Sequence, residues 1–504
     1  FQGANFRMRN MNASKESSPV LVKDTGIILA PDSRRVIARS HIPFNELRVE
    51  RIISRALSLD ESDIQKELKN VLGTFSHRHH NFEVLLERQF DSIRRFMPSD
   101  VLPSRERRLL IGSFFLAEYS FESAALFNPS IVPHPDQSGL PSGSLRFIIT
   151  LRATGEGHIS SLTFRSGCID ANCNISIDES HGFASTAEMK PNILYEKACF
   201  ARKIREMDID NVFSRSVVVS LSEQFTIDEL QEKLKSWIFN HHPISQNDRL
   251  TSDKILWLAQ CNYEAHFDPS VSLSERVLFP LSPSEQNGIE DARFVLFTDD
   301  DGSKKYYATY TAYDGKAILP QLMETEDFEH FKMITLNGSA AVNKGMALFP
   351  RRINGRYAMI SRQDNENLFL MYSDNIHFWH EAVPLMKPSY PWEFVQIGTC
   401  SSPIETEHGW LLFTHGVGPF RQYSISAILL DKENPSQILG RLREPLIHWT
   451  ETNRAGYVPN VVYTCGALLH KDTLVVPYAM SDQQSTISLI SLSYLLEKLL
   501  HGTS

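Results

Sequence analysis

Gly409-Trp410-Leu411-Leu412-Phe413-Thr414-His415-Gly416 is a turn residue, an apolar run and a polar ending. A strand that is apolar at almost every position has both faces covered, because a half-exposed strand would alternate. The same design recurs upstream as Gly355-Arg356-Tyr357-Ala358-Met359-Ile360-Ser361-Arg362, as Lys305-Tyr306-Tyr307-Ala308-Thr309-Tyr310-Thr311, and as Gly143-Ser144-Leu145-Arg146-Phe147-Ile148-Ile149-Thr150-Leu151-Arg152. It returns downstream as Asp472-Thr473-Leu474-Val475-Val476-Pro477-Tyr478-Ala479. The last four copies lie roughly 50 to 60 residues apart, a period suited to four-stranded propeller blades that stack face to face. The first gap is longer and holds a polar, partly helical insertion at about residues 180–250, with a helix predicted from Ile227 to Trp237.

Outside the repeats the character changes. Leu47, Ile52, Ile53, Leu57, Ile64, Leu68, Val71 and Leu72 recur at helical spacing, as do Phe82, Leu85, Leu86, Phe90, Ile93 and Phe96, and Asp60 starts a helix between them. Residues 1–105 therefore read as a tail and a helical subdomain, and residues 106–504 as the β domain. Gly26-Ile27-Ile28-Leu29-Ala30 reads as a strand within the tail, and Phe1-Gln2-Gly3 as the scar of a cleaved tag. His77, His79 and His80 lack the carboxylate or cysteine spacing of a ligand set and read as packing or surface residues. The helical segment's apolar stripe needs a cover, either the β domain or a second copy of the chain.

With 504 residues, 42% hydrophobic and 22% charged, the chain is an ordinary globular protein, large enough for one sizeable domain plus additions. Its formal net charge of -9 and lack of a basic face argue against nucleic acid. No apolar run approaches the length of a membrane span. The six cysteines contain no Cys-x-x-Cys pair, so no metal is expected, and their low number fits reduced thiols in a cytoplasmic protein.

The repeats end in Arg152, Thr311, Arg362, His415 and, slightly later, Asp482. Equivalent positions in successive blades surround one axis, so these side chains would converge at a funnel mouth; ordinary strand-end residues facing water are the plain alternative. Asn287-Gly288-Ile289-Glu290-Asp291-Ala292-Arg293 adds two carboxylates and a fixed cation between a turn and an apolar strand. That is either an edge ion pair or a place to hold a proton for chemistry. Strand alternation predicts that Glu290 and Asp291 face opposite ways, one into the funnel and one toward Arg293 or a blade end.

In order and spacing, these segments resemble glycoside hydrolase family 130, the β-mannoside phosphorylases and β-mannosidases. Asn287–Arg293 carries the resemblance together with Asn343-Lys344-Gly345-Met346-Ala347-Leu348-Phe349-Pro350, Ser361-Arg362, Gly409–Gly416, Leu429-Leu430-Asp431, Val458-Pro459-Asn460-Val461-Val462 and Tyr478-Ala479-Met480-Ser481-Asp482. The matching stretch covers about residues 124–490; residues 1–105 and the insertion mark a longer-chain branch. The resemblance implies an all-β core folded as a five-bladed β-propeller. It also implies that Asp291 is the general acid, passing its proton through the 3-hydroxyl of the donor mannose. Ala292 stands where the family usually has proline, which alters backbone stiffness and no reacting group.

An inverting hydrolase needs a second carboxylate to activate water, whereas a phosphorylase needs cations and donors to hold phosphate. The resemblance points to Asn343, Lys344, Arg362 and His415 for phosphate, with Tyr423 able to add a hydroxyl. It points to Asn128, Arg152 and Asp482 for the sugar. Kept cations favour inverting phosphorolysis of β-mannosides, with β-1,2- or β-1,4-linked manno-oligosaccharides as substrates, to α-mannose 1-phosphate. Such a glycosyltransferase acts with phosphate as co-substrate and needs no cofactor. Its expected partners are the β-mannoside oligosaccharide and phosphate, with no nucleic acid and no membrane. Two readings stay open: an inverting β-mannosidase with Glu393 or Glu405 as base, and a non-catalytic carbohydrate-binding propeller. Arg421 is either a further phosphate contact or a surface charge, and Tyr313, Trp392 and Tyr457 either stack on sugar or pack.

Overall fold

A computed structural model describes residues 21–190, 194–316, 318–451 and 454–501. Phe1-Gln2-Gly3 lies outside the described residues. Each of the five recurring segments is a strand with hydrogen-bonded partners on both sides. The first sheet runs Ala125–Pro133, Leu145–Thr154 and Ser160–Ile169. The second runs Gly288–Thr298, Lys304–Tyr313, Ile318–Thr325 and His330–Thr335, with Tyr263–His266 beyond it. A parallel bridge from Gly288 to Ser160 joins these two into one larger sheet.

The third sheet is Ala347–Leu348, Tyr357–Ser361, Leu368–Ser373 and Ala382–Met386. The fourth is Gln396–Thr399, Gly409–Val417, Tyr423–Leu430 and Ile438–Arg441, with Ile404–Thr406 along its edge. The fifth joins Val462–Tyr463, Leu468–His470, Thr473–Met480 and Gln484–Ser491 to the N-terminal strand Val22–Leu29. The expected strand around Gly26 is thus the outer edge of the last sheet.

The middle strands are buried along almost their whole length, every residue of Gly409–Val417 included, so apolar side chains cover both faces. Successive sheets are also hydrogen-bonded. Ser130 Oγ accepts from Phe294 N at 3.0 Å, Thr309 Oγ1 donates to Met346 O at 2.5 Å, and Thr399 Oγ1 donates to Gly345 O at 2.6 Å. Tyr423 N donates to Asn460 O at 3.0 Å. The last sheet meets the first, with Cys465 N donating to Pro129 O at 2.8 Å and Leu126 N to Gln483 O at 2.9 Å.

Helices Glu46–Leu57, Glu61–Phe75 and Phe82–Ile93 occupy the expected helical segment, and Asp60 caps the second by accepting from Asp63 N at 2.9 Å. A fourth helix, Arg105–Ser113, lies where the sequence suggests the onset of β structure, which begins instead at Leu116. Ser104 caps it, and the Arg107 guanidinium ties it to Ala56 O, Leu57 O, Leu59 O and Glu61. Of the histidines between these helices, His79 and His80 bond to Glu118 and Glu275, docking the segment on the β domain. The insertion holds helices Lys197–Glu206, Val212–Val219, Ile227–Asn240 and Gln246–Gln260 around its own core of Phe200, Phe213, Leu230 and Ile255. No helix among the described residues is long and apolar enough to cross a membrane. The six cysteines are free thiols.

Candidate active site

The β-strand carrying Glu290 and Asp291 does not keep its alternation. Its register against Lys304–Tyr313 shifts between Glu290 and Arg293, and Asp291 has φ 54°. This bulge turns both carboxylates to the same side, against the expectation that they face opposite ways. Arg152, from the neighbouring sheet, meets both: Nη1 donates to Asp291 Oδ1 at 3.1 Å and Nη2 to Glu290 Oε1 at 2.7 Å. Its Nε donates to Ser160 Oγ at 2.8 Å, and Phe127 lies under the guanidinium with its ring centre 4.9 Å away. Asn128 Nδ2 also donates to Asp291 Oδ1, at 2.7 Å. With Oδ1 anchored twice, Oδ2 is the oxygen of Asp291 left to meet a ligand.

Asn128 sits in a second bulge, between Phe127 and Ser130, with φ 48°. Asn343 (φ 68°) and Asp482 (φ 49°) share this left-handed backbone. Apart from glycine, few residue types adopt it, Asn and Asp most readily, and such strain gathers at functional sites. Four of the predicted site residues, drawn from different sheets and their connecting loops, thus share one uncommon conformation.

Arg293 turns away from both carboxylates. Its Nη1 donates to the Asp291 main-chain oxygen at 2.9 Å and its Nη2 to Tyr463 Oη and Thr399 O. The guanidinium is 2% exposed and its Nε has no partner. Arg362, 5% exposed, is similar: Nη1 lies 3.4 Å from His415 Nε2, and the Gln396 carboxamide oxygen, turned toward it, accepts at 2.7 Å, while Nε is unpaired. Neither arginine has a carboxylate within ion-pair distance among the described residues. Burying a cation without its counter-charge is costly, so two such groups side by side describe an anion site.

His415 is buried between the rings of Tyr423 (5.7 Å) and Tyr463 (4.9 Å). Burial, followed by the charges of Arg362 and Arg293, holds its pKa well below the usual value, so the ring is neutral. Its Nδ1 lies 3.9 Å from Cys400 Sγ, and its Nε2 faces Arg362, whose guanidinium can only donate, so Nε2 is the acceptor. Gly398 is flush against this ring: a Cβ there would lie 2.3 Å from His415 Cε1. Lys344 is 39% exposed and reaches Glu290 Oε2 at 4.0 Å, and it lines a small cavity together with Arg293, Thr309 and Thr311. Among the described residues, the Asn343 side chain bonds Gln363 O alone, at 3.4 Å.

The electrostatics of the two halves are linked. Burial alone would raise the Asp291 pKa, but Arg152, Arg293 and Lys344, with the Asn128 hydrogen bond, outweigh it and hold it at about 2. Asp482 goes the other way. Burial pushes it up to about 6; Arg152 opposes the rise, Asp291 adds to it, and Arg421 opposes it. Arg421 thus lies within electrostatic reach of the site, on a loop where it and Phe420 both have positive φ.

The other carboxylates considered as bases are engaged elsewhere. Glu393 is 1% exposed, accepts from Ser389 N and Tyr390 N, and pairs with Arg441. Glu405 pairs with Arg351 and Lys432. Trp392 packs against Gly416 and Gly418, and Tyr313 Oη donates to Gly315 O in the following turn at 3.1 Å. Tyr457 is half exposed and bonds His158 Nδ1 at 2.8 Å. Sequence reasoning places neither Arg293 nor Tyr463 among the binding residues. Arg293 stands in the quoted motif as an ion-pair partner, and Tyr463 directly follows the quoted Val458–Val462. A cavity of about 190 Å³ between helix Lys197–Glu206 and strand His330–Thr335 shares no residue with this site.

Residues 262–500 match the family model described as β-1,4-mannooligosaccharide phosphorylase. Over 231 residues the chain is 31% identical to a 1,2-β-oligomannan phosphorylase of Thermoanaerobacter sp. (strain X514), covering 44% of this chain and 74% of that protein. It is 33% identical over 239 residues to a β-1,2-mannobiose phosphorylase of the same strain, covering 45% and 73%. Among solved structures, the β-1,2-mannobiose phosphorylase from Listeria innocua overlaps with a TM-score of 0.45 at 18% identity, over 76% of this chain and 93% of that one. The family match begins after the helical insertion, so Asn128 and Arg152 lie outside it although both bond Asp291.

Proposed function

Since the chain belongs to glycoside hydrolase family 130, we propose that it is an inverting phosphorylase that cleaves β-mannosides with phosphate and releases α-mannose 1-phosphate. The observation that carries this reading is the pair Arg293 and Arg362: buried, without carboxylate partners among the described residues, and within electrostatic reach of Asp291. A dianionic phosphate among Arg293, Arg362 and Lys344 would supply the missing counter-charge. On this reading the five sheets are the blades of a five-bladed propeller. The chain of hydrogen bonds from each sheet to the next, and from the last to the first, supports that arrangement.

Asp291 enters the cycle as a carboxylate, because its cations hold it at about 2. Phosphate offsets those cations, and Asp291 can then take up the proton it must deliver. A phosphate oxygen forms the new bond to the anomeric carbon while the glycosidic bond breaks on the opposite face. The leaving oxygen receives the Asp291 proton, relayed through the mannose 3-hydroxyl. Asn128, Arg152 and Asp482 frame the sugar; Asp482, with no hydrogen bond from the protein among the described residues, is available to sugar hydroxyls.

Hydrolysis on the same scaffold remains the second reading, and one observation favours it. Asp482 is a buried carboxylate shifted to about 6, which suits a base for water. Product analysis on a panel of β-1,2- and β-1,4-mannosides separates the two. The phosphorylase yields α-mannose 1-phosphate only when phosphate is supplied; free mannose formed equally fast in phosphate-free buffer would overturn it.

A further inference from the structure

We propose that Glu290 is a positioning residue that clamps Arg152 beside Asp291 and keeps Lys344 paired until phosphate arrives. The proposal rests on the phosphorylase reading above and adds a role for the second carboxylate of the bulge. Without the bulge, alternation would send Glu290 to the opposite face of the strand. Its turn inward brings one oxygen to Arg152 at 2.7 Å and the other to Lys344 at 4.0 Å.

The two contacts differ in kind. The Arg152 guanidinium is fixed at all three of its nitrogens, by Ser160, Asp291 and Glu290, and is 16% exposed. Lys344 is 39% exposed, and Glu290, at the edge of ion-pair range, is its one ionic partner among the described residues. A loose, partly solvated pair of this type contributes little and is readily exchanged for a better anion.

Lys344 is also more exposed and more loosely held than Arg293 and Arg362. Arg293 is fixed by Tyr463, Thr399 O and the Asp291 backbone, and Arg362 by His415 and Gln396. Lys344 stands between two left-handed residues, Asn343 (φ 68°) and Gly345 (φ 81°), and the space where a Gly345 Cβ would stand is open. Its flexible four-carbon stem lets the ammonium swing from a carboxylate to a phosphate. Lys344 also helps keep Asp291 ionised, so its departure toward phosphate favours the protonated acid.

The test is titration calorimetry with inorganic phosphate on wild type, Glu290→Gln, Lys344→Met and the double variant, with steady-state kinetics beside it. Glu290→Gln should bind phosphate about fivefold tighter, the order expected on freeing one partly solvated lysine from a competing carboxylate. Its kcat should fall while its KM for phosphate also falls, because Arg152 loses a clamp as Lys344 is released. In the Lys344→Met background the gain should vanish. Glu290→Asp, one methylene shorter, should restore part of kcat, and Glu290→Ala carries the calorimetric test if Glu290→Gln does not fold. Unchanged or weaker phosphate binding in Glu290→Gln would overturn the proposal, as would an equal gain without Lys344. If wild type makes no α-mannose 1-phosphate, the phosphorylase reading fails, while the calorimetric comparison still decides the role of Glu290.

Discussion

Arg362 donates toward His415: Nη1 lies 3.4 Å from an imidazole Nε2 that acts as acceptor, because a guanidinium has only protons to offer. Burial and two neighbouring guanidinium groups keep the ring uncharged. His415 thus orients a buried cation and adds no second charge. The imidazole should show no NMR titration between pH 5 and 8, and a midpoint near the ordinary value of about 6.5 would contradict this account. His415→Gln should raise the KM for phosphate about tenfold, the worth of one hydrogen bond to a charged group, and leave the KM for mannoside nearly unchanged.

Asp291 offers Oδ1 to Asn128 and Arg152 and keeps Oδ2 for the proton. Asparagine tolerates the φ of 54° at this position and preserves the shape of the site, so Asp291→Asn should fold and bind sugar. Its kcat should drop by about 10³, within the range for loss of a general acid. An aryl mannoside whose leaving group needs no proton should recover much of the rate. Equal losses on activated and unactivated substrates would move the acid elsewhere, with Asp482 as the first alternative.

Asp482 gives a pH dependence of definite sign. Its folded pKa of about 6 lies above the unfolded value of about 3.9, so the folded protein binds the extra proton more tightly. Stability from this group is complete below pH 4 and is lost as pH rises through 6. Asp482→Asn removes the buried charge, and Asn suits φ 49°. The variant should therefore be more stable than wild type at pH 8 by on the order of 2 kcal/mol, an advantage that fades toward pH 4, while activity is lost. Thermal unfolding at the two pH values decides this, and an advantage independent of pH would point to packing instead of charge.

The β framework was legible because its central strands are apolar on both faces; Gly409–Val417 needs no alternation rule to be read. The candidate site residues Asn128, Asn343, Asp291 and Asp482 were legible through the family resemblance, while the left-handed backbone they share was not. What stayed hidden was non-local or broke periodicity. Val22–Leu29 pairs with Gln484–Ser491 from the far end of the chain, and no local pattern encodes that partner. The bulge at Asp291 cancels the alternation that would have separated it from Glu290. Helix Arg105–Ser113 escapes the sequence pattern because Leu109-Leu110-Ile111 is a short apolar run that suits a strand or a buried helix equally, and only its packing decides. Arg293 reads in the sequence as a partner for a neighbouring carboxylate; the bulge gives it a main-chain oxygen and Tyr463 instead.

A buried arginine without a carboxylate should weaken the empty protein and strengthen the filled one. Phosphate binds only the folded state, so at about 100 times its Kd it should add about 2.7 kcal/mol of stability. Arg362→Met keeps an apolar stem of similar length and removes the uncompensated charge. In phosphate-free buffer this variant should match or exceed wild type in Tm, because the unpaired Nε and the desolvated charge are gone. The phosphate-induced rise in Tm should shrink or disappear in the same variant, and chloride at equal ionic strength should not reproduce the wild-type rise. A variant less stable than wild type without phosphate, yet still stabilised by it, would mean that Arg362 supports the fold through His415 and Gln396 and that the anion sits elsewhere.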